Sequence, residues 1–258
     1  MQNEESLFQT AIVPLKLVVN GETMWSNSKP SSSHFCRPLN LQYKKETAEV
    51  SKDEAERVKH QINTLHPFCT EGVEINFRVD VTMLDGKVVN AITDTKSTQS
   101  CNVCGVTSKD VNDLEKVRSR PVDEKALKLG LPLLHCWLRS FEYCLHMGYK
   151  MDIKSYYARG DQSKLVAAKK KEIQEKFRSL LSLVVDQPKQ GFGNTNDGNT
   201  ARVAFENADV FSEITGVSVE AITRLRTVLI ALNSGFPLSD KFEAYCQETS
   251  QYLVDNYG

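Results

Sequence analysis

The apolar residues of this chain change period part-way along it, and that change restricts the fold more than any other feature. In "VEINFRVDVTML", Val73 to Leu84, the residues Ile75, Phe77, Val79, Val81 and Met83 alternate with polar partners. A period of two puts every second side chain on one face of an extended chain. Asp85-Gly86 is a turn pair, and "KVVNAIT" behind it is expected to return as a second strand, making a hairpin. Beyond Leu133 the spacing becomes helical. Leu134, Trp137, Leu138, Phe141, Cys144 and Leu145 recur at three and four residues, as do Val166, Ile173, Phe177, Leu180, Leu181 and Val184. Strands first and helices afterwards predict an α+β chain.

Other signals fill in the order. "AIVPLKLVV", Ala11 to Val19, reads as a strand interrupted by Pro14, and Asn20-Gly21 behind it is a hairpin-turn signal. A Ser- and Pro-rich loop leads to an extended segment near Leu39–Tyr43. Residues 46–65 read as a polar helix, with a Ser-x-x-Glu capping box at Ser51 and Glu54. In the second half, 133–147 and 164–185 are expected helices. "QPKQGFGNTNDGN" ends the latter. Short helices follow near 201–206 and 210–214, then two longer ones over 219–233 and 238–257.

The formal net charge of −1 gives no global case for a polyanion partner. The first ten residues are polar and acidic, unlike a signal peptide, and no apolar run approaches the ~20 residues of a membrane span. Seven cysteines, odd in number and scattered, fit reduced thiols better than a disulfide framework. The expectation is an intracellular protein without membrane partners.

Three stretches carry candidate chemistry. Cys101-Asn-Val-Cys104-Gly105 can grip a zinc ion from one turn, with Gly105 allowing the tight backbone. No second such pair follows. His135 and Cys136 are the nearest further donors, so half a zinc site and a plain reduced thiol pair both stand. Asp85 is either a turn residue or a carboxylate for a divalent metal, and two-metal phosphoryl transfer needs further carboxylates beside it. "GFGNTNDGNTAR", Gly191 to Arg202, is dense in Gly and Asn ahead of a helix; it suits either helix capping or an approach to a phosphate or unpaired base. It lacks the Lys-Ser/Thr ending of a P-loop. "KLVAAKKKEIQEKFR", Lys164 to Arg178, is basic on its polar face, for which a solvated face is the default reading.

Taken in order, "KPSSSHFCRPLNLQ", "VTMLDGKVVNA", "STQSCNVCGVTSKD", "LPLLHCWLRS", "GNTNDGNTARVAFEN", "SEITGVS" and "SGFPLSDKFEAYCQETSQYLV" resemble the Transib family of transposases and, more distantly, the catalytic subunit of the V(D)J recombinase. The resemblance runs over essentially the whole chain. It implies a nuclear cut-and-paste DNA recombinase in which an Asp-Asp-Glu trio holds two Mg²⁺ ions on an RNase H-like core. Asp85 resembles the second acid of that trio. Cys101 and Cys104 match the cysteine half of the family's zinc site. Asn196, Gly198, Asn199 and Arg202 lie where relatives handle a DNA end, and dimers are implied.

The same resemblance implies that the first aspartate, the zinc-binding histidine pair and the glutamate fall outside this chain. It then holds one carboxylate of three and half a zinc site. The expected organisation is a partial RNase H-like region over 1–98, a zinc-knuckle-like segment over 99–130, and a helical zinc-domain-like insertion over 131–258. An unpaired sheet edge and an uncovered apolar face are expected to follow from the missing parts. The leading expectation is a transposase-derived fragment that is catalytically incompetent alone and retains some DNA affinity. Two rivals stand beside it. One is an active recombinase completed by a longer product or a partner. The other is a non-enzymatic DNA-binding or interaction protein.

Overall fold

The computed structural model describes residues 6–30, 32–82, 84–97, 99–153, 159–189, 193–234 and 236–258. The chain divides into two units, Met1–Val79 and Asp80–Gly258. It is a mixed α+β protein, helical in about half its length, with small antiparallel sheets. No described helix is long and apolar enough to cross a membrane.

The first unit is built from β1 (Ser6–Ile12), β2 (Lys16–Val19), β3 (Glu22–Ser26), β4 (Arg37–Lys44), α1 (Ala48–Asn63), β5 (Phe68–Thr70) and β6 (Val73–Ile75). Its strands pair only two by two: β1 with β4, β2 with β3, β5 with β6, all antiparallel. Asn20 and Gly21 make the β2–β3 turn with φ of 51° and 83°, the left-handed pair a two-residue hairpin requires. Pro14 lies in the break between β1 and β2, as the sequence suggested.

The β1–β4 ribbon is turned inside out relative to an ordinary amphipathic sheet. Cross-strand partners share a face. The pairs Phe8↔Gln42 and Thr10↔Asn40 are half-buried, whereas Leu7↔Tyr43 and Gln9↔Leu41 are open to solvent. The half-buried face meets α1 through Glu54. That carboxylate accepts from Thr10 Oγ1, from Asn40 Nδ2 at 3.1 and 3.2 Å, and from the Arg57 guanidinium. The Arg57 hydrogen bond is the chief reason its pKa falls from 4.5 to about 2; burial opposes the fall, and Thr10 and Asn40 assist it. Glu54 is therefore a hub inside α1 and not part of a capping box. Thr47 caps this helix instead, its hydroxyl accepting from Val50 N at 3.2 Å.

The expected hairpin over 73–93 is overturned. β6 stops at Ile75 because its partner β5 is only three residues long, and residues 76–82 have no regular structure. Met83, the last residue of the alternating set, lies outside the described residues. Residues 86–92 are not a strand but α2 (Gly86–Ile92). Val88, Val89, Ala91 and Ile92 form a short apolar run that suits a helix face as well as a strand, and Asp85 decides between them by capping.

The second unit continues with α3 (Leu114–Arg118), α4 (Glu124–Lys128), α5 (Leu133–Lys150), α6 (Asp161–Leu181), α7 (Gly198–Glu206), α8 (Ala208–Thr215), α9 (Val219–Asn233) and α10 (Phe242–Tyr257). Helix α5 is the axis: it packs against α6, α7, α8 and α9, and α10 lies on α9. Phe141 sits at the centre, fully buried, its ring 5.9 Å from Phe177 and 5.6 Å from Phe211. Phe205 extends the cluster to Trp137, with edge-to-face contacts near 5.6–5.7 Å. Most of the apolar stripes read from sequence join this core, but Leu138 is only partly buried, Leu134 and Leu180 are exposed, and Val184, also exposed, lies past the end of α6, which stops at Leu181 and not at 185.

Candidate functional site

Asp85 is placed by α2. Its carboxylate Oδ2 accepts from Lys87 N at 3.0 Å, and its carbonyl accepts from Val89 N at 3.0 Å, so it is the N-cap of that helix. Its other carboxylate oxygen lies 3.6 Å from His135 Nε2, in the first turn of α5. Both side chains are about half exposed. Sequence reasoning missed this pairing, having weighed His135 only as a zinc donor; fifty residues separate the two, and no local pattern links them.

Cys101 and Cys104 lie on a closed turn. Cys101 N donates to Val106 O at 2.8 Å, Gly105 N donates to Cys101 O at 2.8 Å, and Ser100 pairs with Thr107 across the base. Gly105 takes a φ of 67°, which a residue bearing a Cβ adopts only with strain. Both thiols on this turn are free and half-buried. Val103 O accepts from Asp123 N at 2.7 Å, tying the turn to the start of α4.

The Asn- and Gly-rich stretch is largely committed to its own structure; Gly191 and Phe192 lie outside the described residues. Asn196 Oδ1 accepts from Asp186 N at 2.8 Å, and its amide nitrogen reaches Glu142 Oε1 at 3.5 Å. Asn194 Nδ2 donates to Asp186 Oδ1, whose other oxygen holds Lys170. Asp197 caps α7 by accepting from Thr200 N at 2.8 Å. That backbone hydrogen bond is the chief cause of its lowered pKa. The cap sets a negative charge where a phosphate would otherwise meet the helix amides. Gly198 is buried, and a Cβ there would come within 2.5 Å of Leu134 Cδ1. Asn199 is exposed. Arg202 lies with its guanidinium 5.8 Å from the Trp137 ring centroid, half-buried on the aromatic core. The four residues therefore divide: Asn196 and Gly198 are packing positions, and Asn199 and Arg202 retain accessible surface.

Lysines of α6 carry partners: Lys164 with Asp161, Lys169 and Lys176 with Glu172, Lys170 with Asp186, Lys171 with Glu175. The face that reads as basic in sequence is laced with carboxylates.

Neither ion cage closes within the described residues. No group of three or more His, Cys, Asp or Glu side chains is positioned for a metal among them. Asp85 has a histidine beside it and belongs to no larger group of such side chains among the described residues, so these residues do not fit a two-Mg²⁺ clamp. Cys101 and Cys104 are donors of the type zinc takes but supply two ligands of the four a structural site needs. In comparison with protein-family models and with curated proteins, the chain matches none.

Proposed function

We propose that this chain is a transposase-derived DNA-recombination polypeptide, similar to the Transib family, which is catalytically incompetent alone and keeps a modest affinity for DNA. Its strand-bearing half would correspond to an incomplete RNase H-like region and its helical half to the family's zinc-domain-like insertion. The ordered series of motifs is the ground for the family. The observation that carries the lack of activity is the setting of Asp85: a helix cap beside His135, with no second acid grouped there among the described residues. Two-metal catalysis depends on preorganised charge on both sides of the scissile phosphate, and one carboxylate cannot supply it. For DNA, Arg202 and Asn199 are the candidate contacts, because they combine accessible polar surface with a rigid helical mount.

The test is a nicking assay on terminal-repeat DNA with Mg²⁺ or Mn²⁺, comparing the wild type with Asp85→Ala. The expected result is no cleavage by either protein; wild-type nicking that disappears in Asp85→Ala would overturn the reading. Gel shifts across a salt series address binding. Affinity that falls with ionic strength and weakens in Arg202→Ala is expected, whereas binding indifferent to salt would exclude phosphate contacts as its source.

A further inference from the structure

The strand-bearing unit carries an aromatic patch that the proposed function does not use. Trp25 lies near the end of β3, and its ring centroid is 6.1 Å from that of Phe35, just ahead of β4. The His34 ring meets Phe35 edge-on at 5.2 Å. Trp25 is 40% exposed, His34 is open to solvent and Phe35 is half-buried. We infer that these three rings, flanked by Lys29 and Arg37, form a stacking platform for the bases of a single nucleic-acid strand.

Hydrogen bonds hold the platform in place. The buried Asn27 donates from its backbone N to Leu15 O at 2.8 Å and from Nδ2 to Pro14 O at 2.9 Å, and its Oδ1 accepts from Lys29 N at 2.9 Å. Beyond it, Ser32 N donates to Lys29 O at 3.0 Å, Phe35 N to Ser32 O at 3.1 Å and Cys36 N to Ser33 O at 3.2 Å. Arg37 Nη1 completes the set by donating to His34 O at 2.8 Å and Cys36 O at 3.2 Å. Rings mounted on a loop fixed in this way lose little freedom when a base lies against them.

Charge selects the ligand. Residues 23–44 contain Lys29, Arg37 and Lys44 and neither Asp nor Glu, in a chain whose formal net charge is −1. Glu22, the acid just before them, sits at the turn end of β3 opposite Val19. Neither Lys29 nor Arg37 is held by a carboxylate among the described residues. The lysines of α6 named above differ, since each is matched to an acid. Exposed rings alone would suit any apolar partner. Exposed rings beside spare positive charge suit a ligand that alternates flat π-faces with negative charges, as an unpaired polynucleotide does at every nucleotide. A duplex keeps its base faces inside its own stack and could offer this patch only phosphates. The patch is separate from Asn199 and Arg202, which belong to the other unit.

The experiment follows Trp25 emission in the full chain carrying Trp137→Phe, so that a strand held at Arg202 alone would not register. The probes are a short oligothymidine, an oligouridine of the same length, a DNA duplex of that length, and phosphatidylcholine vesicles containing phosphatidylserine. Both single strands are expected to quench Trp25 saturably at micromolar concentration, with affinity that falls as salt rises, while duplex and vesicles leave the emission unchanged. Lys29→Glu should weaken binding about tenfold and flatten the log–log salt slope by about 0.7, the share of one phosphate contact on a single strand. His34→Ala should weaken binding about fivefold with the slope kept, because it removes stacking and not charge. Lys164→Glu, the same charge change in α6, should alter neither. Lys29 and His34 are both exposed, and far-UV circular dichroism checks that their variants fold. No quenching below millimolar strand, equal quenching by duplex, a response to vesicles in place of strands, or binding unchanged in both Lys29→Glu and His34→Ala would each overturn the proposal.

Discussion

The two ends of this molecule use their apolar residues in opposite ways. From Leu133 onward, the buried side chains are mostly hydrophobic and meet around Phe141. Among described residues 6–79, the buried side chains are Asn27, Ser51 and Glu54, all polar, while Leu7 and Tyr43 stand 63% and 71% exposed. The contrast is one of topology more than of composition. A helix completes its backbone hydrogen bonds internally and needs only one apolar stripe covered, which neighbouring helices supply within ~100 residues. A two-stranded ribbon has two edges and two faces, and is marginal in water until something packs on it. Here the ribbon packs its polar face on α1 through a carboxylate and leaves its leucines outward.

The two tryptophans allow the halves to be followed separately, because Trp25 lies in β3 and Trp137 in α5. The largest effect is expected from Phe141→Ala. It removes a ring packed against two others and leaves a cavity in a region with nothing to fill it. A loss of about 3–5 kcal/mol is expected in urea unfolding followed by Trp137 in a Trp25→Phe background. The Trp25 transition, read in Trp137→Phe, should barely move. Equal movement of both would mean that the halves unfold as one unit and would break the comparison.

Glu54→Gln attacks the polar hub instead. The amide keeps the shape but cannot match the charge of Arg57, so about 2 kcal/mol should be lost from the Trp25 transition alone. Acid should mimic it. Because folding lowers the carboxyl from 4.5 to about 2, its contribution is complete above pH 4.5 and fades as pH falls from there toward 2. Among the described residues of the helical half, no carboxylate is buried in this way. Its Cys144 thiol, pushed up to about 12 by burial, stays neutral throughout. An acid titration in which Trp137 responds before Trp25 would contradict this assignment.

A smaller effect is expected in the helical half from Ser218→Ala. Ser218 Oγ accepts from Ala221 N at 3.1 Å and lies 2.9 Å from Tyr252 Oη, so it caps α9 and fastens α10 to it. Losing it should cost about 1 kcal/mol, seen as a modest fall in the Trp137 midpoint with unchanged slope. Tyr252→Phe should reproduce only part of that loss.

How much was legible follows the same division. The bounds of α9, Val219–Asn233, match the sequence expectation, because Ser218 and the helical period are local signals. The Asn20-Gly21 hairpin was readable for the same reason. The segment 73–93 was not: alternation marks an extended chain, but whether it becomes a strand depends on a partner, and β5 offers only three residues. Glu54 was misassigned to a cap because, besides Arg57 on its own helix, its partners Thr10 and Asn40 lie 44 and 14 residues away. At the candidate site, the Cys-x-x-Cys spacing announced its turn, whereas the Asp85–His135 approach depends on where α5 starts. Arg202 was named for DNA, but its rest against Trp137 could be found only once α5 and α7 were packed.

The smallest expected effect tests the exposed ribbon itself. Leu41 lies on the outward face of β4, opposite Gln9, and is 55% exposed. If the ribbon is as open in solution as it is here, Leu41→Lys removes little burial, and the Trp25 midpoint should shift by no more than about 0.5 kcal/mol. Solubility should rise, and binding of an environment-sensitive apolar dye should fall, since an exposed apolar patch is interrupted by a charge. The control is Ile222→Lys in α9, where a fully buried side chain gives way to a cation with no partner; there the helical half should lose its cooperative transition. A loss of more than about 2 kcal/mol from Leu41→Lys would mean that the leucine is covered in solution. In that case the strand-bearing half owns an apolar core after all, and its difference from the helical half shrinks to one of connectivity.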